Sequence, residues 1–209
     1  MKEFALIAYG FLCVMLPALL IFGILHRIYR TKGITEPRNR FVMILVLSVY
    51  VAGVFYFTGS GTVYDIRQYG LSAMALELNL IPFSAGPIDS VGYMLNVVLF
   101  LPLGFLLPLL WPKQDRFWKI LLAGVAFSLL IELSQLLNIR NSDIDDLLLN
   151  TLGAVIGFAL YRGYAALTKR EKRMETGFRA EALLYFLAMF LGRFLLFHEF
   201  GFAKILYGF

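Results

Sequence analysis

Charged residues are scarce in this chain of 209 residues, since Asp, Glu, Lys and Arg together make up 16% of it. A soluble domain needs about a quarter of its residues to be charged. Hydrophobic residues, in contrast, account for 60% of the sequence, and the mean hydropathy is +0.76. This composition excludes an ordinary soluble domain and predicts an all-α polytopic membrane protein without a separate soluble part.

Cysteine and histidine are also rare, which limits the chemistry that the chain can carry out. Cys13 is the single cysteine and lies inside an apolar run, so no disulfide can form within the chain. No Ser, Cys or His arrangement typical of nucleophilic catalysis is visible. The net charge of +5 does not indicate a nucleic-acid partner, because the basic residues lie between hydrophobic segments.

Apolar runs of the length needed to cross a bilayer, about 20 residues, are abundant. Five of them occupy residues 4–25, 41–58, 93–111, 117–137 and 147–166. A sixth stretch, 180–197, is shorter and contains Glu181 and Arg193. We expect it to be a sixth span, with an amphipathic helix on the membrane surface as the alternative. The sequence therefore predicts a transmembrane helical bundle with five to six spans.

Basic residues are distributed unevenly between the connecting segments. Segments 26–40, 111–119 and 162–179 contain five, three and six Lys and Arg residues, whereas 59–92 and 138–146 contain one each. Cytoplasmic loops are enriched in Lys and Arg. We therefore expect a multi-pass protein of the cell membrane, with the first three segments in the cytoplasm and the N-terminus outside as part of an uncleaved helix.

The long connection 59–92 contains a periodic stretch. Apolar residues recur at positions 66, 69, 73, 76 and 80, which is a helical period. This pattern predicts an amphipathic helix on the outer membrane surface, and an irregular loop is the alternative.

Polar residues interrupt the apolar sequence around the joint between the fourth and fifth runs. They are Glu132, Gln135, Arg140, Asp143 and Asp146. Ionisable groups at membrane depth cost several kcal/mol unless they are paired or hydrated, so they indicate a functional site.

The fifth run also has a regular pattern of small and polar residues. Asp143, Asp146, Asn150, Gly153 and Gly157 follow one another at intervals of 3, 4, 3 and 4 residues. This spacing predicts that they share one helical face. The pair of glycines allows another helix to approach closely.

The third and fourth runs repeat this pattern. Gly124, Ser128, Glu132 and Gln135 share a face of the fourth run, and Asn96 lies near the outer end of the third. We therefore expect a polar cleft at the outer leaflet, because lipid cannot satisfy such groups. Its predicted lining residues are Asn96, Glu132, Gln135, Arg140, Asp143, Asp146 and Asn150.

Structural roles are the alternative for each of these residues. Glu132 and Arg140 can form a structural ion pair, and the acidic run can be a solvated helix cap. Asn96 and Asn150 can join helices through hydrogen bonds, each worth about 1 kcal/mol.

The order of these motifs resembles the VanZ-like family. The motifs are Asn79-Leu-Ile-Pro-Phe83, Asn96-Val-Val-Leu-Phe-Leu-Pro-Leu-Gly104, Glu132-Leu-Ser-Gln135, Arg140-Asn-Ser-Asp-Ile-Asp-Asp146 and Asn150-Thr-Leu-Gly153. The resemblance extends from about residue 42 to residue 163. It implies a division into an N-terminal helix with a basic loop (1–40), a VanZ-like core (41–166) and a basic linker with a last helix (167–209).

The family takes its name from a membrane protein that gives low-level resistance to teicoplanin, a glycopeptide with a lipid tail. The resemblance thus implies a link to the cell envelope or to teicoplanin resistance. The acidic and amide-rich cleft favours binding of an amphiphile, a membrane lipid or a lipid-linked cell-wall precursor.

Two other functions fit the same residues. An intramembrane enzyme would use Glu132 as a general base and Arg140 to stabilise negative charge. Asp143 and Asp146 would then be the ligands of a divalent cation, if one is bound. Transport is the third hypothesis, although no internal repeat is detectable.

Overall fold

The computed structural model describes residues 1–69, 78–79, 81–84, 90–138, 142–169 and 180–208. Helices account for most of these residues. They are α1 (Lys2–Thr31), α2 (Arg40–Thr58), α3 (Val63–Tyr69), α4 (Ser90–Leu110), α5 (Phe117–Gln135), α6 (Ile144–Leu167), α7 (Glu181–Leu196) and α8 (Glu199–Tyr207). Two short β segments, β1 (Leu78–Asn79) and β2 (Ser142–Asp143), pair in parallel.

Five helical stretches within the described ranges are long and apolar enough to cross a membrane, and the pair α7–α8 would make a sixth. Each of the five overlaps one of the apolar runs of the sequence. The predicted all-α polytopic bundle of five to six spans is therefore confirmed.

Helix ends follow local chemistry. α2 ends at Gly59, which adopts φ +64°, a left-handed conformation that glycine reaches without strain. α4 ends before Pro112, which begins a short 3₁₀ turn. At the start of α6, the side chain of Asp143 accepts a hydrogen bond from the backbone N–H of Asp145. This N-cap satisfies one of the orphan donors of the first turn.

The chain divides into two compact units. Unit 1 contains α1, α2, α3, α7 and α8, and unit 2 contains β1, α4, α5, β2 and α6. These units follow contacts in space, whereas the predicted division at residues 40 and 166 follows sequence similarity and stays a prediction.

The centre of unit 2 is a contact between α4 and α6 in which glycines lie against backbone. A Cβ atom at Gly153 would lie 2.2 Å from the carbonyl oxygen of Val97, and one at Gly157 would lie 2.0 Å from that of Leu101. Gly104 on α4 lies equally close to the carbonyl of Ala154. The two helices therefore run in parallel, and the glycines of α6 pack within one chain.

α5 also packs against α6 and runs antiparallel to it. A Cβ atom at Gly124 would lie 3.0 Å from the Cβ of Ala154. One helical turn away, the side-chain amide of Asn150 donates to the hydroxyl of Ser128, at 3.0 Å. The polar and small residues of α5 therefore face α6, as their spacing predicted.

In unit 1, α7 packs antiparallel along α1. At one end of the pair, the Tyr29 hydroxyl donates to Glu181 at 3.0 Å. In the middle, a Cβ atom at Gly192 would lie 2.2 Å from the Cys13 carbonyl oxygen. At the other end, the Tyr9 hydroxyl donates to the Leu196 carbonyl. Because α7 packs along α1 from the start of α7 to its end, α7 crosses the membrane if α1 does. This favours a sixth span over a surface helix. The chain then bends by 51° into α8.

An ion network joins α7 to the start of α2. The buried carboxylate of Glu181, which is 1% exposed, pairs with Arg40. Arg40 also pairs with Glu36 at 2.9 Å, and Glu36 contacts the imidazole of His26. A buried charge requires such partners, so this network attaches α7 to α1 and α2.

The predicted surface helix over residues 66–80 lies only partly within the described ranges. α3 begins earlier, at Val63, and ends at Tyr69, where the next eight residues lie outside those ranges. Leu78–Asn79 is extended rather than helical because it pairs with β2. The structure thus contains a short helix where the periodic stretch begins and a β segment near its end.

Candidate functional site

The site is built on Asn79 and residues 81–84, here called the Phe83 turn, which are held together by the Asn79 side chain. Its Oδ1 atom accepts a hydrogen bond from the Ile81 backbone N–H at 3.2 Å. The Ser84 hydroxyl lies 3.0 Å from the same Oδ1 and 2.7 Å from the Ile81 carbonyl oxygen, and its single proton is shared between these two acceptors. Such local bonds are typical of Asn in turns. The Nδ2 atom of Asn79 donates to the Asp143 carboxylate at 3.3 Å. The turn is therefore attached to the N-cap of α6.

Phe83 holds a strained conformation at the end of this turn. Its φ is 58°, a left-handed value that is a rare outlier for a bulky residue. Two contacts keep it there: its backbone N–H donates to Asp145 Oδ1 at 2.8 Å, and its ring lies edge-on to Tyr93 with centroids 5.8 Å apart. Strain of this kind costs about 1–3 kcal/mol and clusters at functional sites.

Asp145 is the central acceptor of the site. It is 1% exposed, and its second oxygen accepts a hydrogen bond from the Tyr93 hydroxyl at 2.7 Å. Its own backbone N–H donates to Asp143 at 3.0 Å. Hydrogen bonds to a charged group are worth about 1.5–3 kcal/mol each. Asp145 therefore joins the Phe83 turn, α4 and α6.

Two of the predicted site residues contact each other on the facing surfaces of α4 and α6. The Nδ2 atom of Asn96 donates to Asp146 Oδ1. The predicted residue Asn150 lies deeper, is 2% exposed, and bonds α5 through Ser128. Its Oδ1 atom and the Thr151 hydroxyl are buried without a hydrogen-bond partner among the described residues. The cluster therefore retains hydrogen-bonding capacity below its surface.

Glu132 and Gln135 lie near the end of α5, where both are buried, at 8% and 5% exposed. α5 also contacts β2, so this end of the helix lies beside the N-cap of α6. The predicted residue Arg140 lies outside the described residues. The structure thus places six of the seven predicted residues in unit 2, at the N-terminal ends of α4 and α6 and the C-terminal end of α5.

Sequence reasoning missed Asp145 and Tyr93 as members of the site. The spacing argument selected residues on the face of Asp146, and Asp145 lies about 100° away on a helix. Its burial depends on the turn that contains Phe83, which is 62 residues earlier in the chain. The Asn79–Phe83 motif was the available signal, because its position beside the other motifs suggested a shared role.

In the enzyme hypothesis, Asp143 and Asp146 would be the ligands of a divalent cation, if one is bound. In the part of the chain that the structure describes, no group of three or more His, Cys, Asp or Glu side chains that could hold a metal ion is present. Asp143 bonds Asn79, whereas Asp146 bonds Asn96. The two carboxylates therefore have separate partners.

Comparison with known proteins finds a match to a family model. The family model described as VanZ/LLP1 matches residues 41–169, which is more than half of the chain. No curated protein and no solved structure matches the chain. The match contains β1, α4, α5, β2 and α6, and therefore the whole polar cluster.

Proposed function

The chain belongs to the VanZ/LLP1 family of membrane proteins, and from this premise we propose that it binds an amphiphile at the outer leaflet. The ligand would have a polar head and a lipid tail, as in a lipid-linked cell-wall precursor or a lipidated glycopeptide such as teicoplanin. The observation that carries the proposal is the buried polar network around Asp145, with a strained aromatic residue at its edge.

The chemistry of the cluster favours a head group rich in hydroxyl, amide or ammonium donors. Among the described residues it contains the carboxylates of Glu132, Asp143, Asp145 and Asp146 and the amides of Asn96, Gln135 and Asn150. Asp145 already bonds Phe83 and Tyr93, so the other groups are the ones that a ligand would meet. Carboxylates and amide oxygens accept hydrogen bonds from such donors. A phosphate would instead need Arg140 or a bound divalent cation to offset the negative charge.

Exposed apolar residues lie directly beside these polar groups, where a lipid tail could pack. Ile81 is 69% exposed and Phe83 is 56% exposed, and both belong to the turn that contacts Asp145. On α4, Met94 and Leu95 are also more than half exposed. An amphiphile would therefore find polar groups for its head and apolar side chains for its tail on the same two elements, the turn that contains Phe83 and α4.

The orientation is part of the proposal, since the excess of Lys and Arg in segments 26–40, 111–119 and 162–179 supports a cytoplasmic position for them. The cluster then faces outside. The test is a variant in which Cys13 is replaced by Ala and Ser142 by Cys. We expect a membrane-impermeant thiol reagent to label this variant in intact cells. Labelling only after lysis would show that the orientation is the opposite of the one proposed.

Binding to the purified protein in lipid nanodiscs tests the main proposal. The probes are teicoplanin and the same glycopeptide without its acyl chain, and a lipid-linked cell-wall precursor is tested beside them. We expect saturable binding of at least one tailed ligand and weaker binding of the deacylated one. The Glu132→Gln and Asp146→Asn variants should weaken binding by about 10-fold or more, since each removes a charge-assisted hydrogen bond.

Leu152→Ala is the matched control, because Leu152 lies on α6 but is 48% exposed on a different face from Asp146. It should bind like the wild type. No saturable binding of any tailed probe, or an equal loss in the Leu152 variant, would rule out the proposed site.

A second candidate is an intramembrane enzyme, favoured by the burial of Glu132 at 8% exposed. A carboxylate that is shielded from bulk water in this way is a candidate general base. Mass spectrometry of envelope lipids from cells with and without the protein separates the two candidates. A changed lipid or wall component that disappears in the Glu132→Gln variant would favour catalysis, and unchanged lipids would favour binding alone.

A further inference from the structure

Arg193, near the end of α7 in unit 1, is a buried cation. It is 9% exposed, and its Nε atom has no hydrogen-bond partner. No described residue forms an ion pair with its guanidinium group, which instead lies over the Phe197 ring at 3.7 Å from the centroid. The guanidinium group occupies space that the missing side chain of Gly10 on α1 leaves free, since a Cβ atom at Gly10 would lie 3.3 Å from Nη1. A cation at membrane depth favours an anionic partner.

Two carboxylates lie near Arg193 without pairing with it. Asp65 on α3 and Glu199 on α8 are the acidic groups around it, and Cys13 and Tyr9 are the other titratable groups there. Asp65 is half-buried and accepts the Thr62 backbone N–H at 2.6 Å, whereas Glu199 is exposed. The guanidinium group and the two carboxylates are therefore near each other without forming an ion pair.

Aromatic residues surround this end of unit 1. The Tyr64 and His198 rings stack with centroids 4.1 Å apart, and Tyr9 stacks on Phe202 at 4.5 Å. Aromatic residues are enriched at the level of the lipid head groups. Arg193 is three residues before the end of α7, a distance of about 4.5 Å along the helix. Its guanidinium group is thus within reach of a head group.

We infer that this end of unit 1 binds the head group of a zwitterionic aminophospholipid. The phosphate would accept hydrogen bonds from Arg193, whose planar group suits phosphate oxygens. The ammonium group would lie by Asp65 and Glu199. The two carboxylates repel a purely anionic head group, and Arg193 repels a purely cationic one, so the zwitterion fits the charges best. The site lies in a different unit from the polar cluster and does not depend on its function.

Native mass spectrometry of the full chain tests this inference with equal amounts of phosphatidylethanolamine and phosphatidylglycerol, which lacks the amine. We expect the wild type to retain phosphatidylethanolamine in preference. Arg193→Gln should lower its binding by about 10-fold, the effect of removing one charge-assisted hydrogen bond. The double variant Asp65→Asn/Glu199→Gln should abolish discrimination between the two lipids. Since neither of its residues is buried, this double variant tests the site even where Arg193→Gln does not fold.

The matched control is Arg67→Gln, because Arg67 is an exposed arginine on α3. It should keep the wild-type preference. The inference is overturned by a wild type without preference, by a preference that survives in the folded Arg193 and Asp65/Glu199 variants, or by an equal loss in the Arg67 variant. Tighter retention of glycerophosphoethanolamine than of phosphatidylethanolamine by the wild type would show that a soluble phosphate, and not a lipid, is the ligand, and would overturn the inference.

Discussion

The contact between α4 and α6 makes a sharp prediction about Gly157. In the structure, a Cβ atom at this position would lie 2.0 Å from the Leu101 carbonyl oxygen, whereas ordinary van der Waals contact begins at 3.4 Å. A Gly157→Ala substitution therefore requires the two backbones to separate by about 1.4 Å, because the obstacle is a carbonyl and cannot rotate away. We expect this variant to be less stable than the wild type.

The magnitude follows from two opposing effects. Overpacking of a well-packed contact costs about 1–3 kcal/mol. Alanine has a higher helix propensity than glycine, which offsets about 1 kcal/mol in a soluble helix interior. The net loss is thus up to about 2 kcal/mol in the free energy of unfolding. Gly163→Ala is the matched control on the same helix, since no atom lies within 4 Å of a Cβ there. It should be neutral or slightly stabilising.

Two spectroscopic probes report on the two units during denaturation in mixed micelles. The two tryptophans, Trp111 and Trp118, both belong to unit 2, and Trp111 is 3% exposed. The single cysteine, Cys13, is buried in unit 1 and becomes reactive with a thiol dye on unfolding. We expect Gly157→Ala to shift the tryptophan transition to lower denaturant by more than the cysteine transition.

The same separation of helices should disturb the site. Asn96 and Asp146 lie on the facing surfaces of α4 and α6 and share a hydrogen bond, which a shift of more than 1 Å would stretch beyond its useful length. Gly157→Ala should therefore also weaken binding of a tailed ligand. Equal stability of the Gly157→Ala and Gly163→Ala variants would refute the close backbone contact on which this reasoning rests.

Further predictions concern the two buried acids. Asp145→Asn should weaken the hydrogen bonds from Phe83 and Tyr93 and cost about 1–3 kcal/mol in unfolding free energy. Hydrogen exchange at the Phe83 amide should become faster, and unchanged protection of that amide would contradict the role of Asp145. Arg40→Met leaves the Glu181 carboxylate buried without its guanidinium partner and should cost about 3–5 kcal/mol, measured by Cys13 reactivity. The double variant Arg40→Met/Glu181→Met should recover a large part of that loss, and no recovery would show that the pair is not the cause.

Much of the fold could be predicted because its signals are local. The apolar runs located five helices to within about three residues, except that α1 extends six residues beyond its run, to Thr31. The spacing of Gly153 and Gly157 identified a face for close packing. The acidic run at the start of the fifth apolar run was a candidate helix cap, and the structure shows Asp143 in that role. What remained undecided was whether the glycine face meets another helix of the same chain or a second copy, and the contacts with Val97 and Leu101 answer that question.

The site was less accessible to sequence reasoning. Helical periodicity groups residues of one helix, so it identified Asp146 and Asn150 but passed over Asp145. The hydrogen bonds that bury Asp145 come from Phe83 and Tyr93, which are 62 and 52 residues away in the chain. No periodic pattern contains such a distant pairing.

The sequence by itself therefore determined that this protein is a membrane-embedded helical bundle, because long apolar segments in lipid must satisfy their backbone within helices. It also determined which helix faces are small and polar. Only the tertiary structure decided that α4 and α6 run side by side at backbone contact, and that the Phe83 turn contacts the start of α6. The reason is that such contacts depend on the joint shape of distant segments, whereas hydrophobicity and spacing act within one segment at a time.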